Sequence, residues 1–119
     1  MDNKTNLEKA IEPNGLRKFF VSRANAGDVE GLVALYEHDA VHVINDKGKV
    51  AKGHKEIRDY YTEMLNIKPI FEYGKQNPPL RNGDVALTSS RLVNGIITAE
   101  VVRLQIDNTW LWIIDQPSI

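Results

Sequence analysis

The helical period of the chain disappears for good just after Pro69. Before it, apolar residues recur at helical spacing; after it that period disappears, and turn-forming clusters (NPP, RNGD, NG, DN) fall between apolar runs of strand length. Helices and most of the sheet therefore come from separate stretches of chain, the pattern of an α+β domain rather than an alternating α/β one. HKEIRDYYTEMLN carries the clearest helical face, with Ile57, Tyr60, Tyr61, Met64 and Leu65 at i, i+3, i+4, i+7 and i+8, and Pro69 forbids its continuation. Upstream, Leu16, Phe19, Phe20 and Ala24 mark a first helix that stops at Gly27. Asp28 is placed to cap a short second helix with Val29, Leu32, Val33 and Tyr36 on one face. AVHVIN reads as one early strand closed by the turn NDKGK. Beyond the proline, four antiparallel strands are expected, at about 70–77, 84–93, 96–106 and 109–116.

A chain of 119 residues suffices for one domain, 1–119, with a real core. Its net charge of -1 offers no basic excess to hold nucleic acid or an anionic membrane. The first dozen residues are polar and no apolar run approaches the roughly 18 residues of a membrane span, so the expected compartment is the cytoplasm. With no cysteine, disulfides, thiolate zinc sites and a cysteine nucleophile are excluded. His38, His42 and His54 straddle a helix-to-strand change and do not form a dense ligand set. Neither a phosphate loop nor a G-x-S-x-G elbow is present, and no metal or cofactor is expected.

One carboxylate stands out. In TWLWIIDQP, Asp115 follows two tryptophans and three branched aliphatics, a run apolar enough to be buried. A buried acid without a partner costs about 2–7 kcal/mol. Asp115 is therefore either part of a polar site or the wet end of a strand.

The blocks ANAGDVEGLVALYEHDAVHV and GHKEIRDYY, with the closing DNTWLWIIDQP, resemble the NTF2-like, SnoaL-like superfamily that includes ketosteroid isomerase. The resemblance covers nearly the whole chain. It implies a cystatin/NTF2-like cone: a curved antiparallel sheet wrapped around three helices, with a pocket at the open end and often a dimer through the sheet's outer face. That fold hosts isomerases, dehydratases, cyclases, hydrolases and pure binding modules, so it names no reaction. By the gapless match through NAGD, Phe20 stands where the family's steroid isomerases carry a tyrosine, and Ile44 stands where they carry the aspartate base. Their acid falls at about Val102. All three positions are apolar here, so ketosteroid isomerase chemistry is not expected. Tyr36 and Tyr61 match the tyrosine pair that supports the pocket in that family.

Side chains two apart share a face of a strand. If Ile44 points inward, so does His42. The match then places Val85, Leu87, Ser89, Arg91 and Val93 inside on the second late strand, Thr98, Glu100, Val102, Leu104 and Ile106 on the third, and Leu111, Ile113 and Asp115 on the last. Trp110 and Trp112 are left on the convex face, where they would serve a homodimer interface. The expected site has Asp115 and His42 as acid-base groups, Arg91 stabilising an oxyanion, and Glu100, Tyr36, Tyr61, Phe20 and Ile44 against a small-molecule ligand. Each has a structural alternative: a strand end for Asp115, a satisfied core histidine for His42, an ion pair for Arg91 with Glu100, and core hydrogen bonding for the tyrosines. The resulting expectation is a small-molecule-binding SnoaL-like protein with a partly apolar cone. It is either a cofactor-free isomerase or lyase, or a non-catalytic binding or dimerisation module.

Overall fold

The computed structural model describes residues 8–45 and 47–119. The polar start of the chain through Leu7, and Asp46 of the turn NDKGK, lie outside the described residues. A single 3-10 turn at Pro13–Gly15 leads into α1 (Leu16–Asn25), with proline at the start where its missing N–H costs nothing. α2 (Val29–Val33) is capped as the sequence suggests, the Asp28 carboxylate accepting from Gly31 N at 2.9 Å. A Cβ on Gly31 would lie 2.2 Å from Asp28 Oδ2, so the cap and the glycine depend on each other. α2 is a turn shorter than its apolar pattern: Tyr36 opens β1 (Tyr36–Val43) instead of closing the helix. After β2 (Val50–Lys52), α3 (Gly53–Met64) buries Ile57 and Tyr61 and ends in a 3-10 turn, with Lys68 left-handed at φ 51 just before Pro69.

The rest is sheet: β3 (Lys75–Gln76), β4 (Leu80–Asn82), β5 (Val85–Arg91), β6 (Ile97–Leu104) and β7 (Trp110–Gln116). Strand order is β2-β1-β7-β6-β5-β3, with β4 also paired to β5. All pairs are antiparallel except β1 with β7, which makes the curved sheet mixed. The strand expected over 70–77 shrinks to Lys75–Gln76 because the preceding segment is tied to α1. Arg17 donates to the Glu72 and Tyr73 carbonyls, and Asn25 bonds both the N–H and the carbonyl of Phe71.

The helices cover one face of the sheet. Leu16, Phe19 and Phe20 of α1, Leu32 and Val33 of α2, and Ile57 and Tyr61 of α3 form one core with Ala86, Val102, Trp110 and Trp112. Two registers differ from the sequence reading. On β5 the inward residues are Ala86, Thr88 and Ser90, directly opposite Val102, Glu100 and Thr98. Arg91 therefore points outward and is exposed, so it is no part of the pocket. A one-residue slip in a strand inverts every side chain. On β7 both tryptophans are core residues, Trp110 at 2% and Trp112 at 3% exposure, and not a dimer surface. The cause is a bulge: Trp112 pairs with Val102 and Ile114 with Val101, leaving Ile113 as an extra residue. Past the bulge the parity shifts, so Trp110, Trp112 and Asp115 all face the helices while Ile114 faces out.

The outer face consequently carries a registered apolar row. Leu80, Leu87, Val101, Ile114 and Val41 lie directly opposite one another across β4, β5, β6, β7 and β1. Leu80, Leu87 and Ile114 are exposed at 68%, 45% and 45%.

Candidate functional site

Cross-strand pairing builds the site. β7 places Asp115 opposite Glu100 of β6 on one side and His42 of β1 on the other, and all three side chains are buried. Asp115 Oδ2 lies 2.5 Å from Tyr36 Oη and 3.0 Å from His42 Nδ1, and Tyr36 Oη lies 2.7 Å from Tyr61 Oη. The chain of donors follows from the chemistry of each group. An ionised carboxylate only accepts, so the Tyr36 hydroxyl donates to Asp115 and in turn accepts from Tyr61. Burial first, and then the charge of Asp115, push both phenols well above their ordinary pKa, so both keep their protons. His42 Nδ1 faces the Asp115 carboxylate at 3.0 Å and, beyond it, the Tyr36 oxygen at 3.2 Å, whose proton is already given to Asp115; this assigns the imidazole proton to Nδ1 and leaves the lone pair on Nε2. Nε2 is buried and has no hydrogen-bond partner among the described residues. The ring is held further by Tyr60 at 4.8 Å and Tyr61 at 5.5 Å between centroids.

Glu100 sits across the same cavity. Thr88 Oγ1 donates to its Oε1 at 2.7 Å. Burial, reinforced by the charge of Asp115, raises its pKa from 4.5 to about 7, against the opposing pull of Thr88, Thr98 and Arg17. Glu100 is therefore a carboxyl that carries a proton close to neutral pH, beside an aspartate that serves as acceptor. Thr98, next to it on β6, stands near the carboxyl without an aligned hydrogen bond, and its buried hydroxyl has no partner among the described residues.

These groups line a chamber of about 100 Å³ together with Arg17, Phe20, Phe71, Met64, Trp112 and Pro117. Tyr36 stands behind it, touching Asp115 rather than the cavity, whereas Tyr61 is in the wall. Phe20 is in the wall as well, edge-on to Phe71 at 5.1 Å. Ile44 is not: it lines a more open groove of about 450 Å³ between β2 and α3, which shares Tyr60 and Met64 with the chamber. On the other side a mouth of about 340 Å³, lined by Ile70, Leu92 and Val93, shares Arg17 and Phe71.

Of the groups singled out from sequence, the fold brings together Asp115, His42, Glu100, Tyr36, Tyr61 and Phe20. It leaves Ile44 at the periphery and excludes Arg91, Trp110 and any outward Trp112. The cation near the chamber is Arg17, which the sequence reading passed over. Its signal was position: Arg17 precedes Phe20 by three residues and so shares its helix face.

Comparisons with known proteins agree with this architecture. The SnoaL-like domain family profile matches residues 16–113. No curated protein matches the sequence. Among solved structures, the chain is similar to a putative calcium/calmodulin-dependent protein kinase type II association domain from Thiobacillus denitrificans. That likeness has a TM-score of 0.71 at 13% identity and covers 94% of this chain and 99% of the other. It is also similar to a ketosteroid isomerase-like protein from Erwinia carotovora atroseptica (TM-score 0.63, 15% identity, 85% of this chain and 88% of that one). A protein of unknown function from Mycobacterium tuberculosis shares the fold too (TM-score 0.64, 17% identity, 85% of this chain), and this chain spans 65% of its length. At such identities the structures speak for the cystatin-like, NTF2-like fold alone. With its profile matched over residues 16–113, the chain belongs to the SnoaL-like domain family.

Proposed function

We propose that this protein binds a small organic molecule in the chamber and transfers a proton on it without a cofactor, as an isomerase or lyase does. The observation that carries this reading is His42. Its Nδ1 is committed to Asp115 while its buried Nε2 has no hydrogen-bond partner among the described residues. That arrangement suits a general base whose tautomer is fixed from behind. Glu100 suits the complementary acid, because burial keeps its proton available near pH 7. In an enolisation, Nε2 accepts the proton from a carbon next to a carbonyl and the C–H electron pair becomes part of a C=C bond. The carbonyl oxygen then takes the proton of Glu100. Tyr36 and Tyr61 act through Asp115, holding its orientation, and are positioning residues.

The test is exchange. Small carbonyl compounds are incubated with the protein in D2O, and their C–H signals are followed by NMR. Exchange above the protein-free rate is expected, and His42→Gln should remove about 10²–10⁴-fold of it, the usual worth of a general base. A compound that binds yet keeps all its protons would leave a binding module as the function.

We also propose that a second copy of the chain covers the outer face of the sheet. The apolar row from Leu80 to Val41 supports this, in place of the tryptophans. Such a row is the kind of surface that soluble monomers seldom leave bare.

A further inference from the structure

Among the described residues, the arginine lining the chamber, Arg17, has no counter-ion within ion-pair distance. Arg17 Nε donates to the Tyr73 carbonyl at 3.3 Å, Nη2 donates to the Glu72 carbonyl, and the guanidinium lies 5.2 Å over the Phe20 ring. These contacts fix the plane of the fork with neutral acceptors only. Among the described residues no carboxylate comes within ion-pair distance of it, whereas Arg58 is paired with Glu30 and Arg103 with Glu37. Arg17 is half-buried, and burial weakens its hold on its proton, with Glu100 and Asp115 opposing from farther off. A cation that is partly desolvated, geometrically fixed and facing a cavity is suited to a planar anion, which it can grip through two parallel hydrogen bonds.

We propose that Arg17 is the binding residue for a carboxylate on the ligand, which makes the ligand class small carboxylic acids bearing an oxo or hydroxy group. The inference deepens the proton-transfer reading and rests on it for the reacting end of the molecule. Arg17 is supplied by α1 and also lines the outer mouth, while His42, Glu100 and Asp115 come from the sheet. A carboxylate held at Arg17 therefore orients the neighbouring carbon and oxygen toward the strand residues. The unpartnered Thr98 hydroxyl is available to the oxo or hydroxy group. The chamber holds about three water volumes at ~30 Å³ each, room for a short acid or for the reacting end of a longer one whose remainder lies in the mouth.

Charge balance has a measurable consequence. The groups facing Glu100 are Asp115 on β7, His42 on β1, Arg17 on α1, Tyr60 and Tyr61 on α3, and the Thr88 hydroxyl on β5. A ligand carboxylate adds a negative charge to this set. Glu100 then keeps its proton to higher pH, and binding near pH 7 takes a proton from solution.

The experiment compares acetoacetate with acetoacetamide, which have nearly the same shape and differ in charge. Binding is followed by calorimetry in buffers of different ionisation enthalpy, and by tryptophan fluorescence, since Trp112 lines the chamber. Acetoacetate should bind at least about tenfold tighter, equivalent to ~1.4 kcal/mol, with proton uptake at pH 7. Arg17→Gln should erase the preference, and Arg17→Lys should keep part of it, since it keeps the charge without the fork. Glu100→Gln should abolish the proton uptake that accompanies whatever acetoacetate binding remains. Circular dichroism reports whether each variant is folded; should Arg17→Gln not fold, the acid-to-amide ratio in the wild type and in Arg17→Lys decides. Equal affinities for acid and amide, a preference that survives Arg17→Gln, or no binding of acetoacetate at millimolar concentration would each overturn the proposal. Arg17-dependent binding without deuterium exchange would instead sink the proton-transfer reading and leave the carboxylate site standing.

Discussion

Replacing Glu100 with glutamine should change how stability depends on pH, and the structure fixes both sign and size. In the folded protein Glu100 titrates at about 7 instead of 4.5, because burial and the facing Asp115 disfavour its charge. The folded state therefore binds more protons than the unfolded chain between these values, and stability falls as pH rises through that window. Below pH 4.5 the group contributes no penalty; well above 7 the penalty is complete. At 1.36 kcal/mol for each pH unit, the difference between 4.5 and 7 corresponds to about 3 kcal/mol. Glutamine has nearly the same shape and can still accept from Thr88, yet it has no charge to bury. Urea unfolding of wild type and Glu100→Gln at pH 5 and pH 8.5 should thus give similar stabilities at the lower pH, with the variant ahead by about 2–3 kcal/mol at the higher. Parallel stability profiles across this range would refute the claim that Glu100 holds its proton to neutral pH, and with it the assignment of Glu100 as the acid.

Other consequences are more local. Asp115→Ala should cost about 1–3 kcal/mol in chemical denaturation, because it removes the acceptor of the Tyr36 hydroxyl and leaves the His42 Nδ1–H only the longer contact to Tyr36 Oη at 3.2 Å. Asp115→Asn, which keeps an accepting oxygen, should cost clearly less. Gly31→Ala should lower stability by about 1–3 kcal/mol, since its Cβ would displace the Asp28 cap, and losing the cap by Asp28→Ala first should shrink that effect. Leu87→Lys together with Ile114→Lys should yield folded monomers in sedimentation while the wild type associates; an unchanged oligomer would place any interface elsewhere. Trp112→Ala should destabilise by about 3–5 kcal/mol as a core truncation, a loss that a solvent-facing tryptophan would not show.

The helices were legible because their pattern answers to a single burial direction: Ile57 and Tyr61 are both predicted and found against the sheet. On β6 the inward residues Thr98, Glu100 and Val102 alternate as expected, but the strand ends at Leu104, and Ile106, expected on the same face, is exposed. β5 misled because the usual cue is inverted there. Its outward residues include Val85 and Leu87, while the inward ones are the small Ala86, Thr88 and Ser90, facing a core already crowded by aromatic rings and a glutamate that needs a donor. On β7 no alternation rule can give the answer, since a bulge at Ile113 lets two tryptophans and an aspartate three residues later share one face. Asp115 was placed correctly and its neighbours Trp110 and Trp112 incorrectly within a single strand. Tyr36 fits the helical pattern of Val29, Leu32 and Val33, yet its hydroxyl reaches Asp115 from β1. For the cation the sequence carries only the spacing of Arg17 and Phe20 on one helix face; that this face meets the polar strand residues is decided by the docking of α1 on the sheet.

The collar over the chamber is attached in an unusual way. Arg17 and Asn25 grip residues 71–73 almost entirely by main-chain atoms: the carbonyls of Phe71, Glu72 and Tyr73 and the N–H of Phe71. Main-chain atoms are common to every amino acid, so this fastening is blind to the side chains at Ile70, Glu72 and Tyr73. Substitutions at those positions can redraw the rim of the chamber while its buried polar floor and the anchorage of the rim stay as they are. The opening of the chamber can thus be reshaped without renegotiating the fold.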